Sequence, residues 1–141
     1  MKTKLFLILL VAGMGLVAQC KKDNASFNAY FWTTDSYTTS NNIYLYVNGT
    51  NKGLLPNINL SCYSPNDTTV MQGGESVSLK QAATMIVLKS GKYTLLEKDS
   101  KGNVLSSSVL SISSNSMGSS GNLGGSCIEQ AGNDLYANLY Q

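Results

Sequence analysis

The chain has 141 residues, ten of them Lys and none Arg or His, against eight acids, for a formal net charge of +2. Without His there is no Ser-His-Asp triad, no imidazole base and no His-ligated zinc; without Arg there is no bidentate guanidinium clamp for carboxylate or phosphate. Ten scattered Lys on a near-neutral chain are not the footprint of a nucleic-acid binder, and the length suits one domain with a modest core. No cofactor and no metal site is expected.

The chain opens on Met1-Lys2-Thr3-Lys4, a short positive start, followed by the uncharged, Leu- and Val-rich stretch Leu5 to Ala18. Gln19, Cys20 and the charged Lys21-Lys22-Asp23 come next. A basic head, a short apolar run and an abrupt polar change describe a secretory signal peptide. Fourteen helical residues reach roughly 21 Å, short of a bilayer core of about 30 Å, so a cleaved signal helix is expected over 1–19 in place of a permanent span. Leu16-Val17-Ala18-Gln19-Cys20 resembles the lipobox of bacterial lipoproteins, in which the Cys is diacylglycerol-modified, becomes the mature N-terminus and is acylated (commonly with palmitate). Val17 and Ala18 fit that pattern; Gln19 stands where a small residue is usual. The resemblance implies lipidation at Cys20, a tether over 20–25 and attachment to the membrane. Lys21-Lys22-Asp23 resembles the charged stretch that follows the lipidated Cys in Bacteroidota-type lipoproteins, which implies the outer membrane without fixing the leaflet. The competing reading is cleavage after Ala18, which releases a soluble protein beginning at Gln19.

Three Cys are present: Cys20, Cys62 and Cys127. An odd thiol in a secreted protein is unusual. If Cys20 carries lipid, Cys62 and Cys127 are left to form a disulfide in an oxidising compartment; the alternative is two unpaired thiols, one of them buried.

From 26 to 141 the pattern is alternation, with no sustained 3.6-residue apolar period. In Phe27 to Trp32, Phe27, Ala29 and Phe31 share one face, and Tyr30 and Trp32 the other. In Ile43 to Val47, Ile43, Leu45 and Val47 oppose Tyr44 and Tyr46, and the run ends in the turn Asn48-Gly49. Leu54 to Leu60 reads as a returning strand broken by Pro56, which cannot donate to a ladder and belongs at an edge or bulge. Turns follow at Ser64 to Asp67 and Gln72 to Gly74, then a short strand at Val77 to Leu79. Gln81 to Thr84 allows one helical turn. Met85 to Leu88 and Tyr93 to Lys98, joined by Lys89-Ser90-Gly91-Lys92, read as a hairpin. After a turn at Asp99 to Asn103 come a Ser-rich strand, Val104 to Ile112, a Ser/Gly loop, Ser113 to Ser126, and a last strand, Leu135 to Tyr140.

Seven or eight short strands without a helix of any length predict an all-β protein, a single antiparallel β-sandwich of Ig-like kind. The run Ile43-x-Leu45-Tyr46-Val47-Asn48-Gly49 with Gly53 and Pro56, and later Leu88-x-x-Gly91-x-Tyr93 with Asp99-x-x-Gly102, resemble PEGA-like and transthyretin-like β-sandwich modules over roughly residues 43–112. That likeness implies a non-catalytic extracytoplasmic module.

Candidate functional residues are few. Tyr30, Trp32, Tyr44 and Tyr46 would line one sheet face if the first two strands pair, a platform for stacking on glycan rings; the alternative is cross-strand packing. Asp67-Thr68-Thr69 resembles a Bacteroidota O-glycosylation motif with Thr68 as acceptor. Glu97 and Asp99 are spaced for a carboxylate pair, but their position predicts a solvated turn. Asp35, Asn41 and Asn42 lack calcium-ligand spacing. The expectation is therefore a lipid-anchored, non-catalytic envelope protein, with a structural role or binding a protein or glycan. The alternatives are a soluble secreted effector or inhibitor, and a carboxylate-dependent glycan hydrolase.

Overall fold

A computed structural model describes residues 25–34, 42–66, 68–113, 117–121 and 127–139. The predicted signal peptide, Cys20, and the loop positions Asp35 and Asn41 lie outside the described residues. The strands are β1 (Ser26–Trp32), β2 (Tyr44–Val47), β3 (Thr50–Leu54), β4 (Thr69–Gln72), β5 (Glu75–Ser78), β6 (Thr84–Lys89), β7 (Gly91–Lys98), β8 (Val104–Ile112), β9 (Met117–Gly121), β10 (Cys127–Ala131) and β11 (Asp134–Asn138). One helical turn, α1 (Leu79–Ala82), sits between β5 and β6. The fold is an all-β sandwich, as the alternation predicts.

Its strands form a four-stranded sheet in the order β10-β11-β1-β6, a five-stranded sheet in the order β3-β2-β7-β8-β9, and the separate hairpin β4-β5. Among the described residues every strand pairing is antiparallel except β1 with β11, which run parallel, as does the isolated bridge Thr33↔Asn57. This one pair departs from the purely antiparallel expectation, because β11 returns from β10 alongside β1 in the same direction.

The main core lies between the two sheets. Phe27, Ala29 and Phe31 of β1, with Leu88, Leu135 and Ala137, meet Leu45, Val47, Leu95, Leu110 and Ile112 of the opposite sheet. The second row of β1 is buried too. Tyr30 and Trp32, with Tyr136, pack beneath Ile58, Val70, Leu79 and Ala82. The hairpin, α1 and the segment before them thus cover the outer face of the four-stranded sheet. β1 is a middle layer, which explains why both of its alternating rows are aromatic or apolar.

Local chemistry sets the elements. Asn48 and Gly49 take positive φ of 49° and 79°, which lets β2 turn directly into β3. The returning strand therefore starts at Thr50, earlier than the predicted Leu54. Leu55 to Leu60 is irregular: Pro56 O accepts from Thr33 N at 3.0 Å and Thr33 O from Ile58 N at 2.8 Å, so Pro56 lies beside the end of β1 without having to donate. Ser78 caps α1 by accepting from Gln81 N at 3.3 Å, and the turn buries Leu79 and Ala82.

Two expectations are corrected. Met85 to Leu88 and Tyr93 to Lys98 are not a hairpin. β6 joins the four-stranded sheet and β7 the five-stranded one. Lys89 to Gly91 is a corner between sheets, pinned where Tyr93 OH donates to Lys89 O at 2.8 Å and accepts from Lys89 N at 3.1 Å. A tyrosine bonding a few residues upstream is a known way to fix such corners. The predicted Ser/Gly loop contains β9, paired along β8 from Ser108↔Gly121 to Ile112↔Met117. Backbone pairing alone makes this strand, since Gly and Ser offer no apolar row to announce it.

Candidate binding cleft

Alternation along β11 puts Leu135 and Ala137 into the main core and turns Asp134 and Tyr136 outward, toward the hairpin layer. The parallel register with β1 sets Asn28 beside Asp134 and Tyr30 beside Tyr136. Tyr30 and Tyr136 stack with centroids 5.3 Å apart. Tyr63, next to Cys62, stacks on Tyr136 at 3.7 Å with planes 5° apart. From α1, Lys80 reaches Asp134 Oδ2 at 2.5 Å and lies 5.7 Å from the Tyr30 ring centroid. Asn28 Nδ2 donates to the other oxygen of Asp134 at 2.9 Å. These groups border a cleft of about 390 Å³, lined by Tyr63, Thr68, Ser78, Leu79, Lys80, Ala131, Asp134 and Tyr136.

The electrostatics of the cleft follow from these contacts. The hydrogen bond from Lys80 is the chief reason the Asp134 carboxyl is held below its usual range, with Asn28 adding to the effect against partial burial. The same bond raises Lys80 above its ordinary value. Burial pushes the Tyr136 hydroxyl up to about 12. At neutral pH the cleft therefore holds an ionised, self-compensating pair and a neutral phenol. A charged, hydrogen-bonded pair beside stacked rings offers a ligand donors, acceptors and an aromatic surface.

The four rings expected to form one platform are divided between the sheets. β1 pairs with β6 and β11, not with β2. Tyr30 and Trp32 are buried under the hairpin layer, Trp32 wholly so, with its Nε1 donating to Leu60 O at 2.7 Å. Tyr44 and Tyr46 sit half-buried on the outer face of the five-stranded sheet, where the Lys98 ammonium lies 4.5 Å from the Tyr46 centroid. Thr68 is exposed at the rim of the cleft, and its carbonyl accepts from Leu79 N at 3.0 Å; its neighbour Asp67 and the terminal Tyr140 lie outside the described residues.

The candidate acids also separate. Asp99 stays at the surface, accepting from Lys101 N and Asn103 N at 2.8 Å each, and its carboxyl is lowered first by the Asn103 side chain. Glu97 is buried, 1% exposed, and accepts from Ser106 Oγ at 2.6 Å. The solvated turn predicted for both holds for Asp99 only, because Glu97 shares the inward row of Leu95.

Cys62 and Cys127 are joined by a disulfide, Cα to Cα 5.3 Å, tying the segment after β3 to the start of β10. Their sulfurs and a Glu129 oxygen lie within 4.8 Å of one another, but bridged sulfurs offer no thiolate to a metal. Sequence reasoning missed Tyr63, Lys80 and Asp134 as a set. They come from three separate stretches, and only the β1–β11 register and the seating of α1 bring them together. Comparison with known proteins finds no matching family model, no matching curated protein and no matching solved structure.

Proposed function

We propose that this chain is a bacterial envelope lipoprotein, anchored through lipid on Cys20 and acting without catalysis, by binding. The observation that carries the reading is the partition of the cysteines. Cys62 and Cys127 are bonded to each other, which supports an oxidising compartment such as the cell envelope. They account for two of the three cysteines, so Cys20, in its lipobox-like setting, is the one left for lipid. Two or more acyl chains hold a protein on a bilayer firmly, at about 0.8 kcal/mol per buried CH₂. Among the described residues no helix is long and apolar enough to cross a membrane. Lys21-Lys22-Asp23 favours the outer membrane. The binding role is supported by a preformed cleft whose charges compensate each other at neutral pH.

The test is a Cys20→Ser substitution followed by membrane fractionation and intact mass of the mature protein. Wild type is expected with the membrane, beginning at a lipid-bearing Cys20, and the variant in the soluble fraction. An unmodified wild-type chain beginning at Gln19 would overturn the anchor and favour a soluble secreted protein.

A further inference from the structure

We propose that the cleft beside Asp134 is a saccharide site, taking a neutral glycan with its ring against Tyr63 and its hydroxyls on Asp134, Lys80 and Thr68. The inference rests on the binding role proposed above and names its ligand class.

Three properties of the cleft select the ligand. The first is charge. Lys80 and Asp134 are in direct contact at 2.5 Å, so a charged ligand gains from one and is repelled by the other, whereas a neutral ligand meets no penalty. The second is hydrogen-bonding capacity. The carboxylate has about four lone-pair sites, of which Lys80, Asn28 and the Tyr136 hydroxyl take three. It can accept one further bond from a ligand hydroxyl. Lys80, with its side chain 53% exposed, has donors directed to solvent. The Thr68 hydroxyl both donates and accepts. Donors and acceptors lining one cleft suit a ligand rich in hydroxyls, each of which does both. The third is the partly exposed ring of Tyr63, with Ala131 beside it, which suits the C–H face of a pyranose ring. The volume, about 390 Å³, falls in the range of small-ligand sites and holds roughly one or two sugar rings. The ring is preordered: Tyr63 is clamped on Tyr136 and tethered by the adjacent disulfide, so little freedom is lost when a ligand binds.

The experiment is saturation-transfer NMR on the full-length protein in detergent micelles, with maltotriose, cellotriose, xylotriose and chitotriose as probes and uridine beside them. At least one trisaccharide is expected to bind. Tyr63→Ala and Asp134→Asn should each weaken it by about tenfold or more. Thr68→Trp, a substitution at an exposed position that fills the cleft without touching the core, should abolish it. Tyr46→Ala, on the opposite sheet, should leave it unchanged. The proposal is overturned if no trisaccharide binds at about 10 mM, if binding survives Thr68→Trp in a protein with wild-type circular dichroism, if Tyr46→Ala is the variant that loses it, or if uridine alone binds. Absence of binding with Cys20-dependent membrane retention intact defeats this inference and leaves the anchor standing; binding by a protein that begins at an unmodified Gln19 does the reverse.

Discussion

Replacing both bridged cysteines, Cys62→Ser with Cys127→Ser, tests how the C-terminal strands are held. The bridge spans 65 positions, a closed loop carrying β4 through β9. In the chain-entropy treatment, a cross-link over that distance removes about 14 cal/mol/K from the unfolded chain, or about 4 kcal/mol at 25 °C. The native state does not depend on the bridge alone. Asn138 Nδ2 donates to Leu60 O at 3.1 Å and Ser61 O at 2.8 Å, holding the same two segments together. The variant should therefore fold with the same sheets but melt lower. For a domain of this size about 1 kcal/mol corresponds to roughly 4 °C, which gives a fall of about 15 °C. Thermal melts followed by circular dichroism measure it, and reduced wild type should melt with the double variant, because both lose the same constraint. A fall of less than about 3 °C would refute the reasoning, as it would if reduced wild type stayed at the oxidised melting point.

Three further outcomes are expected. Trp32→Phe removes the Nε1 bond to Leu60 O, an acceptor that Asn138 still partly satisfies; urea titration should show a loss of about 1–2 kcal/mol with an unchanged slope. Gly49→Val forces a β-branched residue to a φ of +79° in an otherwise open turn and should cost about 1–2 kcal/mol in the same titration, whereas a Gly49→Asn variant should cost less. The outer-face cluster gives stability opposite pH limits. Asp134 is lowered on folding, so its contribution is present above the unfolded carboxylate value of about 3.9 and is lost as pH falls through the folded value. Tyr136 is raised from 10.0 to about 12, so its contribution is complete below pH 10 and is lost between there and about pH 12, amounting to about 3 kcal/mol. Stability curves should show Asp134→Asn removing part of the acid limb and Tyr136→Phe part of the alkaline limb; unchanged limbs would count against these contacts.

Much of the architecture is legible in the order of residues. Side chains of a strand alternate between faces, so Phe27 to Trp32 and Ile43 to Val47 announce themselves by parity, and β8 occupies the predicted span of the Ser-rich strand. Asn48-Gly49 announces its turn because few other pairs tolerate two positive φ values. The cysteine count points to the Cys62–Cys127 bridge once Cys20 is set aside. Other elements carry no such mark. β9 consists of Met, Gly and Ser and exists because β8 offers it an open edge. The stretch Lys89 to Lys92 has the chemistry of a hairpin turn and of a corner between sheets alike, and its hydrogen bonds make it the corner.

What the sequence determined by itself is local: strand parity, turn positions and the lack of His and Arg. Those are properties of neighbours in the chain, where backbone geometry and side-chain chemistry act at short range. Which face meets which was decided only by the tertiary structure. Trp32 and Tyr30 were on one row from the start, yet only the hairpin folding over them turned a candidate platform into core. Glu97 reads as a turn residue until its row is seen to face inward. The cleft is the clearest case. Tyr63, Lys80 and Asp134 are separated by long stretches of chain, and their meeting depends on a parallel pairing of the first and last described strands. No local rule encodes that pairing; it follows from burying both faces of β1 at once.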